Sequence, residues 1–172
     1  MNKLLRSIKT MTHDGIVNWI AAGVCCPHFF RLFIYKCFGN NLGRKCILSP
    51  RIFLGSGKGK MQIGGGTFIN YGCFFDLGDD ISIGKNCNVA MNVHFINSTH
   101  ELGRMDRRAG KNISDKIVIG DGCWIGADSI IMPGINIGDG VVIGAGSLVT
   151  ENCDSNCVYL GRPAKKVKEL RD

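Results

Sequence analysis

From Ile119 onward an aliphatic residue returns at every sixth position: Ile119, Ile125, Ile131, Ile137, Ile143 and Val149. A period of six fits neither the 3.6-residue repeat of an amphipathic helix nor the alternation of a half-buried strand. Four places after each aliphatic residue stands Cys123, Ser129, Ile135, Val141, Ser147 or Cys153, so each hexad offers two inward positions. The pattern also appears upstream at Ile63-Gly64, Ile69, Leu77-Gly78, Ile83-Gly84 and Val89, and more loosely at Leu42-Gly43, Leu48 and Leu54-Gly55. Its phase slips near Lys58 and near Phe75, as small inserted corner loops would make it do. Strands this short cannot bury a face alone. The repeat therefore predicts a parallel β-helix over residues 42–155 whose stacked coils share one core.

The repeat is broken between Ile96 and Ile117 by a polar stretch, Asn97-Ser98-Thr99-His100-Glu101-Leu102-Gly103, and the basic segment Arg104 to Lys111, which predicts a loop over 97–116. Residues 1–41 carry two apolar patches, Ile16 to Cys26 and Phe29 to Phe38, separated by Pro27 and His28 and containing Arg31 and Lys36. Neither is long enough to span a bilayer. A short helical segment packed on the β-helix is predicted, with peripheral membrane contact through residues 1–40 left open. Residues 156–172 read as a basic tail with a short helix.

With 24 glycines but only 4 prolines and no Gly-X-Y period, collagen and Pro/Gly-rich disorder are excluded, and glycine is expected to serve recurring corners at positive φ. Asp121-Gly122 and Asp139-Gly140 are turn pairs, and their aspartates read as structural. Cys46, Cys73, Cys87, Cys123 and Cys153 all fall on the second inward position, so they read as small core residues of a cytoplasmic protein rather than disulfide or metal partners. The net charge of +7 is scattered, without aromatic interleaving, which argues against nucleic acid and for a small anionic ligand.

Three stretches carry a resemblance: Ile119-Gly120-Asp121-Gly122-Cys123-Trp124-Ile125-Gly126, Ile143-Gly144-Ala145-Gly146-Ser147 and Gly161-Arg162-Pro163-Ala164-Lys165. With them the chain resembles the hexapeptide-repeat acetyltransferases, in particular the galactoside, maltose and polysaccharide O-acetyltransferase branch, from about Ile63 to Leu170. The resemblance implies an all-β, left-handed parallel β-helix, a homotrimer with a site at each subunit interface, and acetyl-CoA as co-substrate. It matches His100 to the catalytic histidine, although Glu101 stands where several relatives have proline. A base near neutral pKa is what a sugar hydroxyl needs to become a nucleophile, and as imidazolium it can return the proton to the departing thiolate.

On the acceptor side the resemblance places Asn70, with Asp76 and Ser56 as weaker candidates, and His94 lines the same cleft or packs. On the cofactor side it places Trp124, Ala127, Ala145 and Thr150, with Lys165 and Lys168 against the nucleotide phosphates; no metal site is expected. The expected reaction is O-acetylation of a sugar or glycan precursor in surface polysaccharide synthesis. Alternatives are N-acetylation of an amino-sugar nucleotide, acetylation of serine or an antibiotic, a structural β-helix, and a zinc carbonic anhydrase-like protein.

Overall fold

The computed structural model describes residues 3–171. Residues 41–161 wind through five complete coils and part of a sixth, each complete coil contributing one short strand to each of three faces. The first face stacks Asn41–Leu42, Met61–Ile63, Ile81–Ile83, Ile117–Ile119 and Asn136–Ile137. The second stacks Ile47–Leu48, Phe68–Ile69, Asn88–Val89, Trp124–Ile125, Val142–Ile143 and Cys157–Gly161. The third stacks Phe53–Leu54, Phe74–Phe75, His94–Phe95, Ile130–Ile131 and Leu148–Val149. All pairings between coils are parallel and in register, as in Ile125↔Val89 and Ile125↔Ile143.

The aliphatic positions form inward columns, and the residues four places later form columns beside them. Ile119, Cys123, Ile125, Ser129, Ile131 and Ile137 are all buried, as are all five cysteines of the repeat. Phe75 and Phe95 stack between coils with ring centroids 4.7 Å apart. The buried hydroxyl of Ser129 donates to the carbonyls of Gly126 and Gly144, so the polar members of a column are satisfied by corner carbonyls.

The glycines divide into two kinds, and only one has the positive φ expected. Glycines directly after the aliphatic residue are set by stacking: a Cβ on Gly120 would lie 2.8 Å from the Asp139 nitrogen and 2.9 Å from the Gly138 carbonyl carbon. The left-handed residue sits three places after the aliphatic one, as at Gly122 (φ 68°), and non-glycine residues such as Asn86, Asn92 and Asp128 also occupy it. Asp121 and Asp139 are structural as read: Asp121 accepts from Lys85 N, and Asp139 accepts from Asp121 N, both at 2.7 Å.

The amino-terminal segment closes the open edge of the first coil. It runs through α1 (Lys3–His13), a π-helical turn over Asp14–Ala21 and α2 (His28–Cys37). Asn18 pairs with both backbone groups of Leu54 at 2.9 Å, and Arg31 donates to Leu48 O while His28 faces Leu48 N. No helix among the described residues is long and apolar enough to cross a membrane.

The carboxyl terminus corrects the expected helix or tail. Cys157–Gly161 and Ala164–Glu169 form an antiparallel hairpin, and its first strand extends the second face by pairing Val158 with Val142 and Tyr159 with Ile143. The unpaired edge of the last coil draws the lysine-rich segment into a strand where charge spacing alone suggests a helix face.

Two predictions follow from the packing. Gly122→Ala meets open space and costs only the left-handed backbone penalty of about 1–2 kcal/mol, whereas Gly120→Ala must push the next coil away and costs more; urea unfolding of both variants checks the order. Burial pushes the thiols of Cys73 and Cys153 up to about 12, so at pH 8 they carry almost no thiolate. Alkylation of the native protein at that pH should label the exposed Cys25 and Cys37 and spare Cys73 and Cys153, read by peptide mass.

Candidate active site

Both phase slips and the polar insertion fall on one corner, between the third face and the first. There the chain takes extra residues over 55–60, 76–80 and 96–116. The insertion is a hairpin, Ser98–Leu102 against Ala109–Ser114, with His100 opposite Asn112. Its root is fixed from both sides. Asp76 accepts from Ser98 N at 2.9 Å and from the Ser98 hydroxyl, while buried Asn97 accepts from Gly78 N at 2.9 Å and donates to Asp79 O. Asp76, expected on the acceptor side, thus positions the hairpin.

His100 is exposed, and its Nδ1 lies 3.0 Å from the Gly110 carbonyl. A carbonyl only accepts, so Nδ1 carries the proton in this contact and Nε2 keeps its lone pair, with no hydrogen-bond partner among the described residues. That is the tautomer a general base needs.

A groove of about 970 Å³ opens beside the hairpin, between it, the corner loop over 55–60 and the end of α1. Ser56 lines it, as do His13, Lys58, Lys60 and Asn112, none of which the sequence singled out. His13 packs edge-on against Phe38 at 5.5 Å and pairs with Asp14 at 3.2 Å. Only the fold brings residues 13, 58 and 112 to one place.

The remaining candidates sit elsewhere on the prism. Asn70 and Trp124 line a shallow recess of about 370 Å³ on the second face, and Trp124 is 59% exposed. Asn70 uses its Oδ1 on Tyr71 N at 2.8 Å. Ala127 and Ala145 follow one coil apart on the adjoining corner, between second and third faces, linked by Gly146 N to Ala127 O at 2.7 Å. Among the described residues their own N–H groups have no protein acceptor, whereas the matching N–H groups of Lys85 and Asp121 are taken by aspartates. Thr150 lies exposed on the corner of the hairpin, one residue after the last strand of the third face.

His94 points outward on the third face, 5.7 Å from the Phe74 ring, and does not enter the groove. In the carboxyl-terminal hairpin, Lys165 pairs with Glu151 at 3.0 Å, and Lys168 stands opposite Val158. No cluster of His, Cys, Asp and Glu that could hold a metal occurs among the described residues.

Residues 116–151 match the family model described as bacterial transferase hexapeptide (six repeats). A protein of Dictyostelium discoideum, provisionally named an acetyltransferase, is 42% identical over 77% of this chain and 69% of its own length. The maltose O-acetyltransferase of Clostridium difficile 630 superposes with a TM-score of 0.87 at 30% identity, over 99% of this chain and 90% of that one. The chain belongs to the hexapeptide-repeat acetyltransferase family. A hexapeptide-repeat acetyltransferase of Vibrio cholerae, solved with acetyl coenzyme A, superposes with a TM-score of 0.83 at 27% identity, covering 99% and 89%. The coil of this hexapeptide-repeat chain is accordingly the left-handed β-helix, against the right-handed rule for ordinary parallel crossovers.

Removing the Asp76 carboxylate should free the hairpin without unfolding the coils. Hydrogen bonds to a charged group contribute about 1.5–3 kcal/mol, so Asp76→Ala should speed exchange of the hairpin amides by about tenfold or more while leaving the coils unchanged. Hydrogen exchange read by mass spectrometry reports it, and Asp76→Asn, which keeps an acceptor oxygen, should restore part of the protection.

Proposed function

We propose that the chain is an acetyl-CoA-dependent O-acetyltransferase acting on a hydroxyl of a sugar or glycan precursor, of the kind used in surface polysaccharide synthesis, and that it works as a homotrimer. The observation that carries this reading is the setting of His100: its Nδ1–H is held by Gly110 O, its Nε2 has no hydrogen-bond partner among the described residues, and Asn112, opposite it in the hairpin, lines a groove of about 970 Å³. Nε2 would take the proton of the acceptor hydroxyl as its oxygen attacks the acetyl carbonyl. The imidazolium then holds a proton to return to the sulfur when the C–S bond breaks.

What the co-substrate supplies is an activated thioester; what this chain offers it lies on the second face and its corner. The exposed Trp124 ring, the shallow recess beside it and the unpaired N–H groups of Ala127 and Ala145 fit an elongated amide-bearing arm. Lys165 and Lys168 are proposed for its phosphates. Lys165 must exchange Glu151 for them, an exposed ion pair and therefore a weak competitor.

In a single chain Trp124, Ala127 and Ala145 lie on the second face and its corner with the third, away from the corner of His100 and Ser56, so one copy does not bring them together. A second copy would. The outward columns support that assembly: the first two coils show Ile47, Phe53, Phe68 and Phe74 on the second and third faces, with Phe53 stacked on Phe74 at 5.2 Å, while the first face shows Asn41, Gln62, Ser82 and Asn136 with Val118 among them. Apolar side chains left exposed or half-buried side by side, as Ile47, Phe53, Phe68 and Phe74 are, are what a subunit interface covers.

The test is acetyl transfer by wild type and His100→Ala, followed as thiol release over a panel of sugars, nucleotide sugars, amino sugars and serine, with coenzyme A binding and light-scattering mass alongside. The expected result is a trimer in which His100→Ala binds coenzyme A as wild type does and loses about 10²–10⁴-fold in turnover on a hydroxyl acceptor. A protein that binds no coenzyme A would sink the reading, and transfer to amines alone would replace it with N-acetylation.

A further inference from the structure

The groove beside the hairpin has a charge character that hydroxyl transfer does not require. Lys58 and Lys60 line it together with His13, and no carboxylate is among its lining residues. Acidic side chains from the neighbouring elements are committed elsewhere. Asp14 holds His13 and Asn18, Asp76 holds Ser98, Asp79 accepts from Asp80 N, and Asp80 accepts from Lys60 N. Neither Lys58 nor Lys60 makes an ion pair among the described residues, and the ammonium of Lys60 donates to the Phe38 carbonyl at 3.0 Å.

The backbone adds to this. The loop Gly55-Ser56-Gly57-Lys58-Gly59 lies so close on the next coil that a Cβ at Gly55, Gly57 or Gly59 would collide with the carbonyls of Asp76, Leu77 and Asp79. Stacking explains the glycines, and its by-product is a loop of largely bare backbone among the residues that line the groove. Gly55 N and Gly59 N donate to the coil above, whereas those of Ser56, Gly57 and Lys58 have no acceptor among the described residues. Three consecutive N–H groups without acceptors, beside an ammonium without an ion pair, are donors available to an anion.

We propose that this groove holds the acceptor by an anionic group, a phosphate or a carboxylate, with Lys58 as counter-ion and the N–H groups of Ser56 to Lys58 as donors. The inference rests on the acetyl-transfer reading and narrows it: the acceptor is a phosphorylated or acidic sugar rather than a neutral one. At about 970 Å³ the groove has room for a sugar together with such a group. Asn112, on the groove wall and opposite His100 in the hairpin register, links this anchor to the strand that carries the base.

The experiment compares matched acceptors, each sugar as the neutral form, the 1-phosphate and the uronic acid, with wild type, Lys58→Ala and Lys58→Glu, at low and high salt. The expected result is a higher kcat/KM for the anionic forms that falls with salt. Lys58→Ala should lower that preference about tenfold through KM, and Lys58→Glu should reverse it. Whether the phosphate or the uronate gains more identifies the source of the charge. Equal use of neutral and anionic forms, or a preference that Lys58→Glu leaves intact, overturns the proposal.

Calorimetry with the sugar 1-phosphates, without acetyl-CoA, separates this from failure of the transferase reading. Binding heat in wild type that Lys58→Glu abolishes upholds the anion site even where no transfer occurs. Equal heats in both proteins, or none in either, refute it.

Discussion

Everything in this molecule is subordinate to the in-register stacking of one coil on the next. Because parallel strands are joined residue above residue, each inward side chain stands in a column with its counterparts, and a change at one level is felt at its neighbours. The columns explain why aliphatic, cysteine and small hydroxyl residues alternate in the repeat. Ser129 is acceptable in a dry core only because its hydroxyl reaches the corner carbonyls of Gly126 and Gly144. Stacking also dictates the glycines that follow the aliphatic positions, where backbone from the next coil occupies the space of a Cβ.

A stacked helix has two open ends, and each is closed by different chemistry. At the first coil, side chains stand in for the missing strand: Asn18 reads both backbone groups of Leu54, and Asn40 accepts from Met61 N while donating to Tyr35 O. Arg31 is buried at 3% exposure, a burial that would be prohibitive without partners. It has four, the carbonyls of Ala21, Leu48, Gly23 and Cys26. Tyr35 beside it is buried with its hydroxyl unpaired among the described residues, and burial drives its pKa upward against the opposing pull of Arg31. At the last coil the backbone itself closes the end by folding back as a hairpin. The amino-terminal closure reaches further, because it fixes the end of α1, and with it His13, along one wall of the groove.

How legible each feature is in the sequence follows from how local its cause is. The period of six, the inward cysteines, the Asp-Gly corners and the insertion that carries His100 are all written in short spacings. The carboxyl-terminal hairpin is not, because Lys165 to Lys168 has charge without an apolar period, and its extended form comes from pairing with the strand before it. Glycine identity is legible but its cause is not: Gly120 and Gly122 look alike in sequence, yet one answers to a neighbouring coil and the other to φ. Arg31 reads as an argument against a membrane span, and nothing near it in sequence announces the four carbonyls it clamps. Likewise Lys58 reads as part of a phase slip until residues 13 and 112 arrive beside it.

The three corners of the prism are not equivalent, and their difference bears on how such a scaffold divides its tasks. On the corner of Lys85, Asp121 and Asp139, side-chain oxygens seal the backbone N–H groups coil by coil. On the corner of Ala127 and Ala145 the same groups stay open because alanine has nothing to seal them with. That corner cannot take insertions without losing the regular spacing of its N–H groups, so in the proposed reading it suits a co-substrate of constant shape. The corner that bears the loops over 55–60, 76–80 and 96–116 already departs from the six-residue period and can change length without disturbing any column. In the proposed reading a variable acceptor is therefore best served there, beside His100, where the lysines of that corner would set its charge preference while the stacked core stays untouched.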